Sequence, residues 1–399
     1  MSSGLDTPGP SWHLYTALIE DLVGYGHAVH LIESHSTGIN PDCPDRLRSL
    51  KGFTYETINI DVVDKKAFTK RYLVGVKYCF KARKVFKKQS GFDVMMVQSC
   101  PWAPFAITFA KRFVKVPIVY NSQDMFPGAS IANGAMTKKW MQKIFFAFHK
   151  IAYKKADHIS VISEDMKQKV IEQGVPENKI TVIPNWYDDK SVREIPWEEN
   201  LFVKKYDMKP DVFYVQYAGT MGFNFDYRLV LRVAEMLKDQ ENIVFQMIGF
   251  GSQKDDFMKA AEEKGLNNII FYPLEPQEMV PHVYSACSVC LIPLPRGVIG
   301  NSVPSKAGLL MACRRVIITS SDEGSDYNDM FEREQIGIAC SSDKPEDVVA
   351  GILRLRDNPE IKEQYAENAK KYGQKVYSRT MNTALYEKLY ERVANTKEK

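Results

Sequence analysis

The residues of this sequence best suited to chemistry lie in the stretch 300–313, where Ser302, Ser305 and Lys306 open an apolar helix. A short apolar strand over 289–295 leads into this stretch through a glycine loop. Either serine can cap the helix, because its side-chain oxygen accepts hydrogen bonds from unpaired N–H groups of the first turn. Such a helix start favours an anion, and Lys306 adds a full positive charge. The stretch therefore predicts a phosphate site, with an ordinary strand–helix connection as the alternative.

Glycine loops also follow other strands of the same half, and glycine lets the backbone approach a ligand closely. These loops contain Gly219 and Gly222, Gly249 and Gly251, and Gly300. No Walker-type lysine follows a four-residue gap in any of them, and Gly249-Phe250-Gly251 is only a short match to a dinucleotide fingerprint. The loops predict a small-molecule ligand without defining it.

Other catalytic patterns are missing from the sequence. Its serines, histidines and aspartates show no triad spacing, and its seven histidines form no set of metal ligands. Seven scattered cysteines are typical of reduced thiols in a cytoplasmic protein. Cys287 and Cys290 form a C-x-x-C pair, but they lie in the packing stretch 283–290, so we predict packing there rather than redox or metal chemistry.

Length and charge narrow the class of protein further. The 399 residues, of which 45% are hydrophobic, suit about two or three domains. The longest apolar runs have only the length of a strand and cannot span a bilayer, and residues 1–10 lack the regions of a signal peptide. The net charge of +4 divides into +8 over residues 1–190 and −4 over residues 191–399. The basic front half is expected to meet an anionic partner, such as lipid head groups or a phosphorylated ligand.

Strands and helices alternate along the chain, which indicates an α/β architecture with parallel sheets covered on both faces. Residues 1–190 form one predicted Rossmann-like domain, a polar linker covers 191–212, and a second such domain covers 213–375. A final helix over 376–399 is expected to cross back to the first domain. In doubly wound domains small molecules bind at the carboxyl ends of strands, and we expect the ligand in the cleft between the two domains.

Two helices of the front half, over 67–88 and 138–155, are strongly basic and carry large aromatic side chains. Basic amphipathic helices of this kind can lie on anionic membrane surfaces. The alternative is an aromatic stripe in the core with a lysine face in water. From the first interpretation we expect an anionic membrane surface as partner. No nucleic-acid-binding motif is present, so we expect no nucleic acid as partner.

As a set, several stretches resemble the family-4 retaining glycosyltransferases, whose GT-B fold has two Rossmann-like domains facing across a cleft. In the back half these stretches are the two glycine loops, the segment leading to the donor site and the donor-site helix, at residues 217–222, 245–251, 271–294 and 303–313. In the front half they are residues 26–29, 123–127, 159–164 and 182–186. The x-D-x-x-P segment 123–127 resembles members that build bacterial capsule, O-antigen or colanic-acid-like polysaccharides. The resemblance covers nearly the whole chain.

The sequence departs from the family pattern in four ways. Asn301 and Leu309 stand where many members have two glutamates, the second of which binds the ribose hydroxyls. The arginine and lysine that often follow the first glycine loop are absent, and Gln123 replaces a family histidine. The strand that normally precedes the N-terminal loop, here at Gly9, is also absent, so the first domain is expected to lack a central strand.

The resemblance implies transfer of a sugar, with retention, from a nucleoside diphosphate sugar to a saccharide acceptor in surface polysaccharide biosynthesis. Uridine is the expected base, a hexosyl or N-acetylhexosaminyl group the expected sugar, and a polyprenyl-diphosphate-linked saccharide the expected acceptor. Lys306 and Arg296 would stabilise the diphosphate leaving group, and Asp124 would orient the acceptor or act as base. The implied donor-binding residues are Gly219, Met221, Gly222, Gly249, Gly251, Pro273, Leu274, Asn301, Ser302 and Ser305. No metal and no cofactor are implied, and the enzyme is expected in the cytoplasm or peripherally on the inner face of the cell membrane.

Two alternatives stay open from the sequence. A catalytically silent, glycosyltransferase-like binding subunit is suggested by the missing strand and by Asn301 and Leu309, because a fold does not fix a function. A nucleotide-sugar epimerase of the same architecture would alter a UDP-sugar without an acceptor. A donor hydrolysis or transfer assay separates these alternatives from the glycosyltransferase.

Overall fold

The chain divides into two units, each built from strands and helices that alternate along the sequence. The computed structural model describes residues 12–36, 45–63, 68–132, 134 and 136–396. Unit 1 comprises residues 1–184 together with 380–399, and unit 2 comprises residues 185–379. The last helix is thus grouped with unit 1, and the predicted linker over 191–212 falls within unit 2.

Unit 1 consists of parallel strands and of helices between them. Its strands are β1 (Val29–Ser36), β2 (Phe53–Ile60), β3 (Met95–Gln98), β4 (Ile118–Ser122), β5 (His158–Val161) and β6 (Ile180–Val182). Its first helices are α1 (Trp12–Gly24), α2 (Asp45–Arg48), α3 (Phe68–Phe86), α4 (Ala103–Phe113), α5 (Gly128–Ala132), α6 (Lys139–Lys155) and α7 (Glu164–Glu172). Both basic helices predicted in the front half are present, as α3 and α6.

The strands of unit 1 form two sheets among the described residues. Strands β3, β4, β5 and β6 are paired in sequence order, and β1 pairs with β2 in a separate two-stranded sheet. The sequence did not predict a strand at Phe53–Ile60, where the structure has β2. Only Phe53 and Ile58 of its eight residues are buried, so its apolar alternation is weak. The predicted lack of a central strand concerns residues around Gly9, which lie outside the described part of the chain.

Unit 2 continues the alternation from residue 185 onward. Its elements are α8 (Leu201–Lys205), β7 (Phe213–Thr220), α9 (Tyr227–Met236), β8 (Ile243–Phe250), α10 (Lys254–Glu263), β9 (Ile269–Tyr272), α11 (Val280–Ser285), β10 (Val289–Pro293), α12 (Lys306–Ala312), β11 (Ile317–Ser321), α13 (Asp326–Arg333), β12 (Gly337–Ser341), α14 (Pro345–Asp357) and α15 (Pro359–Val376). The last helix, α16 (Arg379–Asn395), leads back into unit 1.

The sheet of unit 2 is fully parallel and has the strand order β12-β11-β10-β7-β8-β9. Tyr214 and Val215, adjacent on β7, belong to two different core clusters, because successive side chains of a strand point to opposite faces. The chain moves outward from β7 through β8 to β9, and outward in the other direction from β10 through β11 to β12. The strand order therefore reverses between β7 and β10, and such a reversal opens a crevice at the carboxyl ends of those two strands.

The polar segment predicted as a linker is anchored to unit 2. The side-chain oxygen of Asn200 accepts hydrogen bonds from the N–H groups of Phe202 (2.9 Å) and Val203 (3.2 Å) and so caps α8. Phe202 is fully buried, and its ring lies 5.3 Å from that of Tyr272. A single capped turn with two buried side chains thus holds this charged stretch in place.

Candidate functional site

The ammonium group of Lys306 is buried at the carboxyl end of β7. Its Nζ lies 3.5 Å from the ring centroid of Tyr217, and a Cβ built on Gly219 would lie only 2.7 Å from it. The Nζ has almost no exposed surface and no hydrogen-bond partner among the described residues. Lys306 follows β10 and Gly219 is the last residue but one of β7, so the lysine lies at the point where the strand order reverses. A buried cation without an anionic partner is a strong indication that an anion binds here.

Burial lowers the pKa of Lys306 from 10.5 to about 7, and a weaker interaction with Cys290 opposes this shift. The cause is the loss of hydration, which destabilises the charged form. The face of the Tyr217 ring offers partial compensation through a cation–π contact. An anion beside Nζ would favour the protonated form, so ligand binding is expected to raise this pKa again.

The glycine turns after β7 and β8 pack against each other. Gly219 pairs with Gly249 across the two strands, and a Cβ on Gly249 would lie 2.0 Å from the carbonyl oxygen of Gly219. A Cβ on Gly251 would lie 2.3 Å from the carbonyl oxygen of Met221. Both glycines also have positive φ angles, of +140° and +153°. Their first role is thus to let two protein backbones meet, and their contact with a donor remains a prediction.

Asp322 holds the loop that leads from β10 to α12. Its carboxylate accepts hydrogen bonds from the N–H of Gly297 (2.7 and 3.0 Å to the two oxygens) and from that of Ile299 (3.2 Å). The side chain of Asn301 donates to the carbonyl oxygen of Gly297 at 2.9 Å. Because β11 lies beside β10, a residue that follows β11 reaches the neighbouring loop. Asp322 could not be identified from the sequence, because its hydrogen-bond partners Gly297 and Ile299 lie more than twenty positions away in the chain.

The start of α12 differs from the sequence prediction. Ser305 occupies the N-cap position, but its side chain makes no capping hydrogen bond, and its φ and ψ of −59° and −21° are already helical. An N-cap side chain reaches the first-turn N–H groups from an extended backbone, so the predicted capping by Ser305 is wrong. The helix has only seven residues. The positive charge of Lys306, rather than a long helix dipole, dominates the electrostatics here.

The other predicted donor-site residues of unit 2 lie at the same carboxyl edge of the sheet. Met221 is buried, and its N–H donates to the carbonyl oxygen of Phe250 at 2.7 Å. No neighbouring atom would come closer than 3.6 Å to a Cβ on Gly222. The remaining ones are Pro273 and Leu274 after β9, which are exposed, and Arg296, Ser302 and Asn301 in the loop after β10, of which Arg296 is exposed. The structure thus brings this set to the ends of adjacent strands.

Asp124 belongs to unit 1 and follows β4. Its side chain is exposed, while its N–H and that of Gln123 donate to Ser99 Oγ at 3.4 and 3.1 Å. The side chain of Gln123 donates to Asn121 at 3.0 Å. Burial raises the pKa of Tyr15 well above its usual value, and the charge of Asp124 contributes. Gly9, predicted in the N-terminal loop, lies outside the described residues.

Two further groups bear on metal and thiol chemistry. Among the residues that the structure describes, one group of three could hold a metal ion, namely His27, Glu387 and Glu391 of unit 1, whereas Lys306 belongs to unit 2. The Sγ atoms of Cys287 and Cys290 are 3.4 Å apart, and both residues are buried in the core of unit 2.

Two models of known protein families match this chain. Residues 12–186 match the model described as "Glycosyl transferase 4-like domain", and residues 199–372 match "Glycosyl transferases group 1". The chain therefore contains a glycosyl transferase 4-like domain followed by a domain of the glycosyl transferases group 1. Both matched regions follow the division into units, and the second one contains Lys306 with its glycine turns.

Three individual proteins are similar to this chain. It is 25% identical over 226 residues to WcaI of Escherichia coli K12, which is named as a colanic acid biosynthesis glycosyl transferase. That match spans 55% of this chain and only 55% of the length of WcaI. The sucrose-phosphate synthase structure from Thermosynechococcus elongatus has a TM-score of 0.75 at 15% identity and covers 99% of this chain and 96% of its own. The UDP complex of Anabaena Alr3699/HepE has a TM-score of 0.72 at 13% identity and covers 98% of both chains. At these identities the structures show the fold, which is GT-B.

Proposed function

We propose that this glycosyltransferase moves a sugar from a uridine diphosphate sugar to a saccharide acceptor, with retention, in the synthesis of a bacterial surface polysaccharide. The observation that carries the proposal is the buried, unpartnered ammonium of Lys306 at the strand-order reversal of unit 2. The name of the colanic acid relative supports the polysaccharide, and the UDP complex of the structural neighbour supports the base. A hexosyl or N-acetylhexosaminyl group is the sugar that we propose.

In the proposed mechanism Lys306 stabilises the leaving diphosphate. As the bond between the sugar and the diphosphate breaks, negative charge grows on the leaving oxygen. The ammonium meets this charge in a site from which water is largely excluded, where electrostatic interactions are strong. The exposed Arg296, two residues beyond Leu294 on the loop after β10, supplies a second cation. We propose that these cations take the place of a divalent metal.

The acceptor is proposed to be a saccharide on a polyprenyl diphosphate. The support is the strongly basic front half of the chain, since a lipid-linked diphosphate is itself anionic and lies at an anionic surface. Asp124, at the end of β4, is proposed to orient the acceptor hydroxyl or to take up its proton. Its side chain is exposed, so that an acceptor can reach it.

One observation favours a second candidate, a subunit that binds a nucleotide sugar but does not transfer the sugar. Asn301 stands where many family members have a glutamate, and its side-chain amide is engaged with the carbonyl oxygen of Gly297. Catalytic turnover separates the two candidates. Release of UDP from a labelled UDP-sugar, stimulated by a lipid-linked acceptor, supports transfer, whereas tight binding without release supports the silent subunit.

The test of the proposed function compares Lys306→Met with Lys259→Met. Lys259 is exposed on α10 and faces Glu263 at 3.7 Å, so its replacement removes a charge without touching the site. Donor turnover and UDP affinity, measured by UDP release and by calorimetry, are expected to fall at least about a hundredfold for Lys306→Met, as for loss of a preorganised electrostatic group. They should stay near wild type for Lys259→Met. Near-normal turnover in Lys306→Met would overturn the proposed role of Lys306. Preferential binding of GDP or ADP over UDP would overturn uridine as the proposed base.

A further inference from the structure

The charged side chains of three helices in unit 1 are all positive. Helices α3, α4 and α6 have 19, 11 and 17 residues and contain six, two and five lysines or arginines. None of the three contains an aspartate or a glutamate. Ordinary solvent-exposed helices mix both signs, because opposite charges on neighbouring turns stabilise the helix. Lys111 of α4 is paired with Asp157 outside the three helices, and the remaining excess of positive charge indicates an anionic partner.

Helix α6 also exposes a stripe of large apolar side chains. Trp140 is 62% exposed, Ile144 is 56% exposed and Ile151 is 38% exposed. These residues are spaced by four and seven positions, so they lie on one face of the helix. The opposite face packs inward through His149 and Ala152, which are fully buried. The exposed stripe therefore comes in addition to the core-facing one and is not explained by packing within the unit.

Helix α3 extends the apolar surface. Leu73 and Phe80, seven positions apart, are 55% and 47% exposed. The ring of Phe80 lies 5.1 Å from that of Phe109 on α4, and the ring of Tyr72 lies 5.2 Å from that of Phe145 on α6. The three helices thus form one connected layer.

Exposed lysines accompany both apolar stripes. Lys143, Lys150 and Lys154 on α6 lie beside Trp140, Ile144 and Ile151 along the helix, and they are exposed. On α3 the exposed lysines are Lys70, Lys77, Lys81 and Lys84. Long lysine side chains can lay their methylene groups along apolar surface and keep the charge at its rim. Apolar groups in the middle and cations around them match the boundary between acyl chains and anionic head groups.

We propose that the layer formed by α3, α4 and α6 is a docking surface for an anionic lipid bilayer, in which Trp140, Ile144, Ile151, Leu73 and Phe80 enter the head-group region. The reason for docking rests on the proposed function, since a lipid-linked acceptor is presented at such a surface, but the surface itself does not. No helix of the described chain is long and apolar enough to cross the bilayer. Charge complementarity selects this occupant over a second copy of the chain, whose matching surface would bring cations against cations.

The test measures binding of the full chain to vesicles by flotation. One set of vesicles contains phosphatidylcholine alone, and the other contains equal parts of phosphatidylcholine and phosphatidylglycerol. We expect binding to the anionic vesicles only, and we expect it to weaken between about 0.1 M and about 1 M salt, where the Debye length falls from roughly 10 to roughly 3 Å. The charge variant K143Q/K150Q/K154Q should lose about a hundredfold in affinity, since each lysine near an anionic surface contributes about fivefold.

A second variant tests the apolar part, and a third serves as control. W140Q/I144Q/I151Q should weaken binding by roughly tenfold for each side chain that inserts fully. The matched control M258Q/K259Q changes an exposed apolar residue and an exposed lysine on α10 of unit 2, and it should bind like wild type. UDP affinity is measured in parallel and should be unchanged in all three variants, so a failure of the donor site is seen separately.

Three results would overturn the proposal. These are equal binding to neutral and anionic vesicles, unchanged binding in both unit 1 variants, and loss of binding in the unit 2 control. Binding of a single-stranded RNA probe with higher affinity than the anionic vesicles, lost in the charge variant but not in W140Q/I144Q/I151Q, would assign the same cations to nucleic acid instead.

Discussion

Replacing Lys306 by methionine is expected to stabilise the ligand-free protein while abolishing donor binding. The lysine is held in a buried position where its pKa falls from 10.5 to about 7, and burial is the main cause. A lowered lysine pKa means that the folded state binds the proton less tightly than the unfolded state does. The charge of Lys306 therefore costs folding free energy wherever the unfolded lysine is protonated. Methionine has a similar length and no charge, so it removes this cost and keeps the volume.

The size of the effect follows from the two pKa values. At pH 7 they correspond to about 4 kcal/mol of lost stability, at about 1.36 kcal/mol for each unit of difference between pKa values. The cost is full below pH 7, where both states are protonated, and it disappears as the pH rises towards 10.5, where the unfolded lysine also loses its proton. For a unit of this size, 4 kcal/mol corresponds to about 10 °C in melting temperature.

The assay is thermal and urea unfolding of the ligand-free protein at pH 6, 7 and 9.5, for wild type, Lys306→Met and the control Lys259→Met. We expect the first variant to gain stability over wild type at pH 6 and 7 and to gain much less at pH 9.5. The control, which changes an exposed lysine, should stay within about 0.5 kcal/mol of wild type. UDP at a hundred times its Kd should narrow the difference, because it adds about 2.7 kcal/mol to the wild type alone, against the gain of about 4 kcal/mol in the variant.

Two outcomes would refute this reasoning. If Lys306→Met is no more stable than wild type at pH 6 and 7, the ammonium is not a buried charge under strain. If its gain is the same at every pH, the gain comes from apolar packing and not from the removed charge. Lys306→Arg adds a check, since arginine keeps its charge at all of these pH values and should not show the gain.

Three further predictions concern the same edge of unit 2. Donor affinity of wild type should fall about tenfold per pH unit above pH 7, because the unliganded Lys306 must then take up a proton on binding. Calorimetry of UDP binding in buffers of different ionisation heat measures this uptake, and a flat profile between pH 7 and 9 contradicts it. Gly249→Ala should destabilise unit 2 by at least about 2 kcal/mol, since its Cβ would overlap the Gly219 carbonyl, while Gly222→Ala should be nearly neutral in the same urea titration. Asp322→Ala should raise the donor KM roughly tenfold or more by releasing the 297–299 loop, and an unchanged KM would show that the loop keeps its shape without the carboxylate.

The fold of unit 2 could be predicted from the sequence where its strands are mostly apolar runs. Strands β7, β8 and β9 are short runs of this kind with a glycine or a proline near or directly after their ends, and such runs are recognisable without a structure. Strand β12 was missed, because Gly337-Ile338-Ala339-Cys340-Ser341 has a single β-branched residue. Strand β2 was missed because most of its side chains are at least partly exposed. A continuous apolar run of residues is what makes a strand recognisable in the sequence.

Only those features of the candidate site that depend on residues close together in the sequence could be predicted. Lys306 was identified because a charge directly follows a strand and a glycine loop. Its contact with Tyr217 and the support from Asp322 depend on which strands are neighbours, and strand order is a property of the whole sheet. The capping role given to Ser305 was wrong because residue type alone does not fix the backbone angles that capping requires.

The two groups of cations in this chain lie in different electrostatic environments. A single ammonium buried at Lys306 acts in a medium of low dielectric constant, where one charge has a large effect and dissolved salt screens it little. The lysines of α3 and α6 are exposed, so each contributes little and salt screens all of them. A buried charge costs stability and gives selectivity for one small anion, whereas a field of exposed charges costs little and selects only a surface of opposite sign. Raising the ionic strength should therefore release the protein from vesicles well before it releases UDP from the donor site.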